Sequence, residues 1–70
     1  MPNSNDEAAR ELERLRVDRD LSRAWIARRI GRNEMWVSRK LTGKVPLTVD
    51  DYNLLLAAIE SVAPKELLFK

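Results

Sequence analysis

The sequence contains neither cysteine nor histidine. Without cysteine the chain has no disulfide framework and no thiolate zinc site, which suits a reducing cytoplasm. Without histidine it also lacks the usual general base, nucleophile partner and transition-metal ligand of enzymes. We therefore expect a protein that is not an enzyme, has no small-molecule substrate and needs no cofactor.

Long apolar runs are also missing. The chain begins Met-Pro-Asn-Ser-Asn-Asp-Glu, which has neither the basic n-region nor the apolar h-region of a secretory signal. No run approaches the roughly 18 apolar residues that a membrane span requires. At 70 residues the chain has the length of one small domain. We expect a single soluble domain in the cytoplasm, with no membrane partner.

Positive charge is concentrated in the middle of the chain. Residues 23–44 hold seven basic side chains and one acidic one, whereas the rest of the chain holds six basic and ten acidic ones, for a net charge of +2. Such polarisation is typical of a protein that binds a phosphate backbone, while an even scatter would serve only solubility. The seven basic residues are Arg23, Arg28, Arg29, Arg32, Arg39, Lys40 and Lys44, and the acid is Glu34.

Residues 22–42 have the pattern of two short helices separated by a glycine. Ser22 is suited to cap the first helix and Asn33 the second. Gly31 and Gly43 are suited to end them, because glycine accepts a left-handed backbone without steric cost. A short turn containing glycine between two helices predicts a helix-turn-helix. The expected inward positions are Ile26, Ala27, Ile30, Val37 and Leu41.

Three further helices are predicted around this pair, and no strand. The first runs from a capping box at Ser4 and Glu7 to about Asp18, the fourth from a capping box at Thr48 and Asp51 to Ser61, and the last over 64–68. On helix one the buried positions are Ala8, Leu12, Leu15 and either the Arg16 stem or Val17, with Glu13 facing solvent. On helix four they are Val49, Tyr52, Leu55, Leu56 and Ile59. Residues 1–3 are expected to form a disordered arm, and residues 4–70 one all-α domain.

The order and spacing of these residues resemble the lambda-repressor-like (Cro/repressor or XRE-type) helix-turn-helix family over about residues 7–68. The pairs that carry the resemblance are Ser22-Arg23, Ile26-Ala27, Ile30-Gly31, Val37-Ser38 and Gly43-Lys44. The run 36–51 also resembles short regulators from actinobacteria and their phages. In the family, glutamine usually stands where this chain has Arg23. The resemblance implies a compact five-helix fold and a nucleoid-associated, sequence-specific regulator of transcription, of the Cro/repressor type, that binds double-stranded DNA.

Two sets of residues are expected to contact DNA through helix three and its surroundings. The base contacts are predicted to be Glu34, Met35, Ser38 and Arg39, and the phosphate contacts Arg23, Asn33, Trp36, Lys40 and Lys44. Arginine suits guanine, glutamate suits the amino group of cytosine, and an apolar side chain such as Met35 suits the methyl group of thymine. The alternative for Met35 is that it only covers the domain surface.

Other prominent residues have plainer interpretations. Trp36 either donates its indole N–H to a phosphate or packs on the neighbouring turn. Trp25 is interpreted as structural, wrapped onto helix one. Arg28 and Arg29 are treated as a solvated charged face. Asp50 and Asp51 are interpreted as complementing the dipole of helix four, and not as a catalytic or metal pair.

A weak homodimer is expected as well. One recognition helix contacts only a few base pairs, so genomic specificity generally requires two half-sites about 34 Å apart. We predict that Leu54, Leu68 and Phe69 form the dimer interface, the alternative being that Leu67 and Leu68 close the core.

A second class of function is a protein-interaction module, such as an antitoxin or an anti-repressor partner. The charge of residues 23–44 argues against it, because the centre of a protein interface is depleted in charge.

Overall fold

Four α-helices form the part of the chain that the computed structural model describes, residues 5–62. They are α1 (Asn5–Asp18), α2 (Arg23–Ile30), α3 (Glu34–Leu41) and α4 (Val49–Glu60). No strand occurs among these residues, so the all-α prediction is confirmed for them. The expected arm at 1–3, the cap at Ser4 and the fifth helix at 64–68 lie outside the described residues. Within 5–62 none of the helices has the length and apolarity needed to cross a membrane.

Side-chain caps begin α2, α3 and α4 where they are predicted. The side chains of Ser22 and Asn33 each accept a hydrogen bond from the backbone N–H three residues later, at 3.0 and 2.7 Å. Thr48 accepts from the Asp51 N–H while the Asp51 carboxylate accepts from the Thr48 N–H, which completes a capping box. These bonds satisfy donors that the start of a helix leaves unpaired, and they fix where each helix begins.

Two glycines end α2 and α3 as expected. Gly31 and Gly43 adopt φ angles of 74° and 77°, a left-handed conformation in which a side chain would be strained. One residue after each glycine, a backbone N–H donates to the carbonyl five residues back at 3.0 Å. This bond closes the helix and turns the chain sharply. The turn between α2 and α3 is therefore only three residues long, 31–33.

The core lies where one face of each helix meets the others. Leu12 of α1, Ile26 of α2, Val37 of α3, and Leu55 and Ile59 of α4 have no exposed surface. α3 packs against both α1 and α2, and these in turn pack against α4. One side of α3 is thereby buried, and its other side is left at the surface.

Two long-range hydrogen bonds join the beginning of the chain to its later part. The side-chain oxygen of Asn5 accepts from the Leu47 N–H at 3.1 Å. Arg19 Nε donates to the carbonyl of Val62 at 2.9 Å. The first bond holds the loop that leads into α4, and the second holds the residues that follow α4, so α1 is connected to both ends of α4.

Two valines considered for buried positions are exposed: the prediction for Val49 was wrong, and Val17 is not the observed one of the two alternatives on helix one. Val17 is 60% exposed and Val49 is 58% exposed. At 100° per residue, Val17 lies about 140° around the helix from Leu12, and Val49 about 120° from Leu55. Neither position can face a core that is built on those leucines. The alternative that named the Arg16 stem is the one observed, since this side chain is half-buried.

The predicted core also omits three residues that are buried. Ala9 and Ala58 lie beside the predicted stripes, and Leu47 lies in the loop before α4. Periodicity cannot identify Leu47, because it belongs to no helix. Tyr52 and Leu56, predicted as buried, are partly buried and pack against the core.

The correction at Val17 leads to a stability prediction. Leu12→Ala should lower the free energy of unfolding by about 2–5 kcal/mol, because it leaves a cavity in the core. Val17→Ala, the matched change on the exposed side of the same helix, should alter it by less than about 0.5 kcal/mol. Urea unfolding followed by circular dichroism measures both. Comparable losses in the two variants would contradict the burial pattern of α1.

Candidate nucleic-acid interface

The outward side of α3 carries a group of chemically different side chains. Glu34, Met35 and Arg39 are exposed, and Ser38 is half-buried. Residues four apart share one face of a helix, so Met35 and Arg39 are neighbours there, as are Glu34 and Ser38. All four residues predicted to contact bases therefore lie on the part of α3 that is not packed in the core. Together they offer a carboxylate, an apolar group, a hydroxyl and a guanidinium.

A shallow depression runs beside this face. Its volume is about 340 Å³, and it is lined by Asn33, Met35, Trp36, Arg39, Lys40 and Val45. Three of these side chains are apolar or aromatic and two are cationic. The depression thus joins the outward face of α3 to the loop that follows it, and it contains several of the predicted DNA contacts. Met35, 60% exposed, forms part of its wall.

Arg23, at the first position of α2, is held in a polar network. One terminal nitrogen donates to Ser38 Oγ at 3.1 Å, and the other donates to Glu13 Oε2 at 3.0 Å. Its Nε is buried and has no partner. A guanidinium has five N–H donors, so each terminal nitrogen retains a second N–H. The side chain as a whole is 33% exposed.

Glu13 of α1 is the acceptor at the centre of this network. Its two oxygens accept from Arg16 at 2.7 Å each, and one of them also accepts from Arg23. The Arg16 hydrogen bond lowers the pKa of Glu13; burial opposes this, but the Arg23 bond and both positive charges keep that pKa below its ordinary value. Through Arg23, Glu13 is also connected to Ser38 on α3. One carboxylate thus ties three helices together.

The prediction that Glu13 faces solvent was wrong. It follows from helical periodicity, which puts this residue on the outer side of helix one. The side chain is 28% exposed. The spacing of Glu13 and Arg16 by three residues is a signal for an ion pair on a helix. No local spacing connects Glu13 to Arg23, because that contact depends on the packing of α1 against α2.

The side chain of Lys40 in α3 is less exposed than that of Arg23. Its ammonium donates to Asp51 Oδ2 at 2.7 Å and to the carbonyl of Pro46 at 2.6 Å. It also lies 5.4 Å from the centre of the Trp36 ring, and the side chain is only 11% exposed. Burial raises the pKa of Asp51, but the hydrogen bonds from Lys40 and Thr48, together with the Lys40 charge, outweigh it and leave that pKa below its ordinary value.

Trp36 packs partly against the core and partly under charged groups. The Arg32 guanidinium carbon lies 4.7 Å from the centre of its ring, a cation–π arrangement. Its backbone N–H donates to the oxygen of Asn33, which leaves the NH₂ group of Asn33 as a donor. The ring of Trp36 therefore packs on its neighbours, while a contact of its indole N–H with phosphate stays a prediction. Trp25 also packs against the core, which fits its structural interpretation.

Five cations of the basic segment have no ion pair within residues 5–62. They are Arg28, Arg29, Arg32, Arg39 and Lys44, and all of them are exposed. Arg28 and Arg29 lie in the last turn of α2, Arg32 in the turn before α3, Arg39 on the outward face of α3, and Lys44 follows Gly43. The unbalanced positive charge of this part of the chain therefore lies on the helix pair and at its end.

The residues of the predicted dimer interface and the two aspartates of α4 complete the set of residues that the sequence singles out. Leu54 of α4 is exposed, as its position off the buried stripe predicts. Leu68 and Phe69 lie outside the described residues. Asp50 is exposed at the start of α4 and Asp51 caps that helix. Within 5–62 no group of acidic side chains has the arrangement of a metal site.

Comparison with known families identifies a helix-turn-helix domain in this chain. A family model described as a helix-turn-helix domain matches residues 7–64, a range that contains α2, α3, α4 and most of α1. This model belongs to the XRE/Cro-like class of helix-turn-helix proteins. No curated protein and no solved structure matches the chain significantly.

The network around Glu13 leads to a prediction about stability and pH. Glu13→Gln removes the charge that both arginines share, and should lower the free energy of unfolding at pH 7 by about 1–2 kcal/mol. Because folding lowers the pKa of Glu13 from 4.5, its contribution is complete above that pH and is lost as the pH falls through the folded-state pKa. The difference between the variant and the wild type should therefore be smaller at a pH well below 4.5 than at pH 7.

Urea unfolding at both pH values measures this effect. Glu11→Gln is the matched control, since Glu11 pairs with Arg14 at the exposed surface of the same helix. It should change the free energy of unfolding by less than about 0.5 kcal/mol. Equal effects of the two variants, or a Glu13→Gln effect that is independent of pH, would contradict the role given to Glu13.

Proposed function

The chain belongs to the helix-turn-helix domain family, in its XRE/Cro-like class, and on that ground we propose that it is a sequence-specific regulator of transcription that binds double-stranded DNA. The observation that carries the proposal is the outward face of α3, where Glu34, Met35 and Arg39 are exposed. In this proposal α3 lies in the major groove and α2 crosses the backbone beside it. The five cations of the basic segment that have no ion pair in the described structure attract the duplex.

Base contacts are assigned to the four outward residues of α3. Arg39 donates to guanine, Glu34 accepts from the amino group of cytosine, and Met35 packs on the methyl group of thymine. Ser38 Oγ already accepts from Arg23. Its own O–H is consequently the group that it offers to the duplex, as a donor to a base or phosphate oxygen.

Phosphate contacts are assigned to groups that retain a donor at the surface. Arg23 offers its remaining N–H groups at the start of α2, where the helix dipole also favours an anion. Lys44 offers its ammonium just beyond α3. Asn33 offers its NH₂ group, and Trp36 its indole N–H. These contacts orient α3 in the groove, and carry no sequence information themselves.

Selection from a random duplex library, followed by binding measurements on the enriched site, tests this function. Arg39→Ala should reduce discrimination at one base pair by about 1–3 kcal/mol, because a bidentate contact to guanine is lost. Arg14→Ala, which removes an exposed arginine from α1, is the matched control and should leave base preferences unchanged.

The salt dependence of binding supplies a second criterion in the same experiment. With Arg23 and Lys44 each neutralising one phosphate, the slope of log K against log salt should be near −2 per protomer, at about −0.9 per contact. A slope near zero, or a selection that enriches no sequence, would contradict DNA binding and favour the protein-interaction module instead.

We also propose that two protomers bind a pair of half-sites through a weak interface formed by Leu54, Leu68 and Phe69. Leu54→Ser should reduce the affinity between protomers on a palindromic duplex roughly ten-fold, because it removes an apolar contact on each side of the two-fold axis. Val49→Ser is the matched control, since Val49 is exposed on the same helix, about 140° away from Leu54.

Sedimentation of the complexes counts the protomers per duplex. Two per site for the wild type and for Val49→Ser, and fewer for Leu54→Ser, is the expected result. One protomer per site for the wild type would refute the dimer. If Leu54→Ser forms the same complex as the wild type, the interface does not include this part of α4.

A further inference from the structure

The Lys40 ammonium has little capacity left for a phosphate. An ammonium has three N–H donors; one goes to Asp51 at 2.7 Å and another to the carbonyl of Pro46 at 2.6 Å. The group also lies over the Trp36 ring, and only 11% of the side chain is exposed. To bind a phosphate without losing a partner, Lys40 would have to use its one remaining N–H, on a side chain that is almost covered. Lys40 thus differs from Lys44, which is exposed and has no ion pair within residues 5–62.

The partners of Lys40 lie on three successive parts of the chain. Lys40 is in the second half of α3, Pro46 is in the loop that follows, and Asp51 is in the first turn of α4. Asp51 also accepts from the backbone N–H of Thr48, which caps α4. One ammonium and one carboxylate therefore fix the end of α3 against the start of α4. We call these two residues the Lys40–Asp51 pair.

The outward face of α3 depends on this arrangement. Trp36 lies between Met35 and Arg39 in the sequence. The Lys40 ammonium lies 5.4 Å from the centre of its ring. A recognition surface has to be held within about 0.5 Å of its productive geometry by groups that are themselves locked in place. The Lys40 ammonium lies at the edge of that surface, and its two hydrogen bonds lock it in place.

We infer that Lys40 is a positioning residue, which sets the orientation of α3 through Asp51 and Pro46, and not one of the groups that bind phosphate. The inference refines the proposed function and rests on it for the DNA measurements. It replaces the sequence-based expectation that Lys40 binds phosphate together with Arg23 and Lys44. Arg23 keeps its place in that set, because its side chain is 33% exposed against 11% for Lys40, and each of its terminal nitrogens retains an N–H.

The main test compares Asp51→Asn with Asp50→Asn in binding to the selected duplex. Both variants remove one negative charge from the first turn of α4, and Asp50 is exposed and has no ion pair within residues 5–62. If Lys40 positions α3, Asp51→Asn should bind roughly ten-fold more weakly than Asp50→Asn. If Lys40 binds phosphate, Asp51→Asn releases the ammonium and binds more tightly. Equal or tighter binding overturns the inference.

A second comparison uses the salt slope of binding. Lys44→Met should make the slope less steep by about 0.9, the value for one lost phosphate contact, whereas Lys40→Met should leave it unchanged while weakening affinity. A slope reduced by about 0.9 in Lys40→Met overturns the inference. If Lys40→Met does not fold, the comparison of the two aspartate variants decides alone.

A third measurement needs no DNA. Urea midpoints of Lys40→Met, Asp51→Asn and the double variant form a cycle, and the double variant should be no less stable than the weaker single variant. Additive losses would show that the two residues do not act as one contact, and would overturn the inference. If the wild type binds no duplex at all, the proposed function fails, while this cycle still decides whether the Lys40–Asp51 pair acts as a unit.

Discussion

The carboxylate of Glu13 is the interaction on which the arrangement of the helix pair depends. It accepts hydrogen bonds from Arg16 on its own helix and from Arg23 on α2, and Arg23 in turn reaches Ser38 on α3. Apolar packing is non-directional and tolerates small rotations of a helix about its axis. A charge-assisted hydrogen bond has a preferred distance and direction. The core brings the helices together, and this network fixes their angular positions.

Ion pairs with acidic residues also divide the cations of the basic segment into a paired class and an unpaired class. Two of the acids outside the basic segment, Glu13 and Asp51, each hold one cation of that segment, Arg23 and Lys40 respectively. Paired cations are thereby largely neutralised, although Arg23 retains donors for a phosphate, and the unpaired cations at the surface create the field. Net charge alone does not separate the two classes, because every arginine and lysine counts equally in it. The separation appears only when each cation is assigned its partner.

Much of this fold can be predicted from local chemistry, and the contacts that cannot be predicted depend on how the helices pack. The caps at Ser22, Asn33 and Thr48 and the ends at Gly31 and Gly43 are predicted correctly, because each depends on a few neighbouring residues. The outward face of α3 follows from helical period. The Glu13–Arg23 and Lys40–Asp51 contacts join residues ten and eleven positions apart on different helices. They depend on how the helices pack, and no spacing in the sequence predicts them.

The bonds from Asn5 to Leu47 and from Arg19 to Val62 have a consequence for how the domain assembles. They span 42 and 43 residues, so each closes most of the described chain into a loop. Closing such a loop is entropically unfavourable until the intervening contacts form. The central helix pair, with two helices of eight residues each, is too short to be stable by itself in water. Folding of the recognition helix is therefore cooperative with folding of α1 and α4, and local opening of α1 exposes the pair to unfolding as a whole.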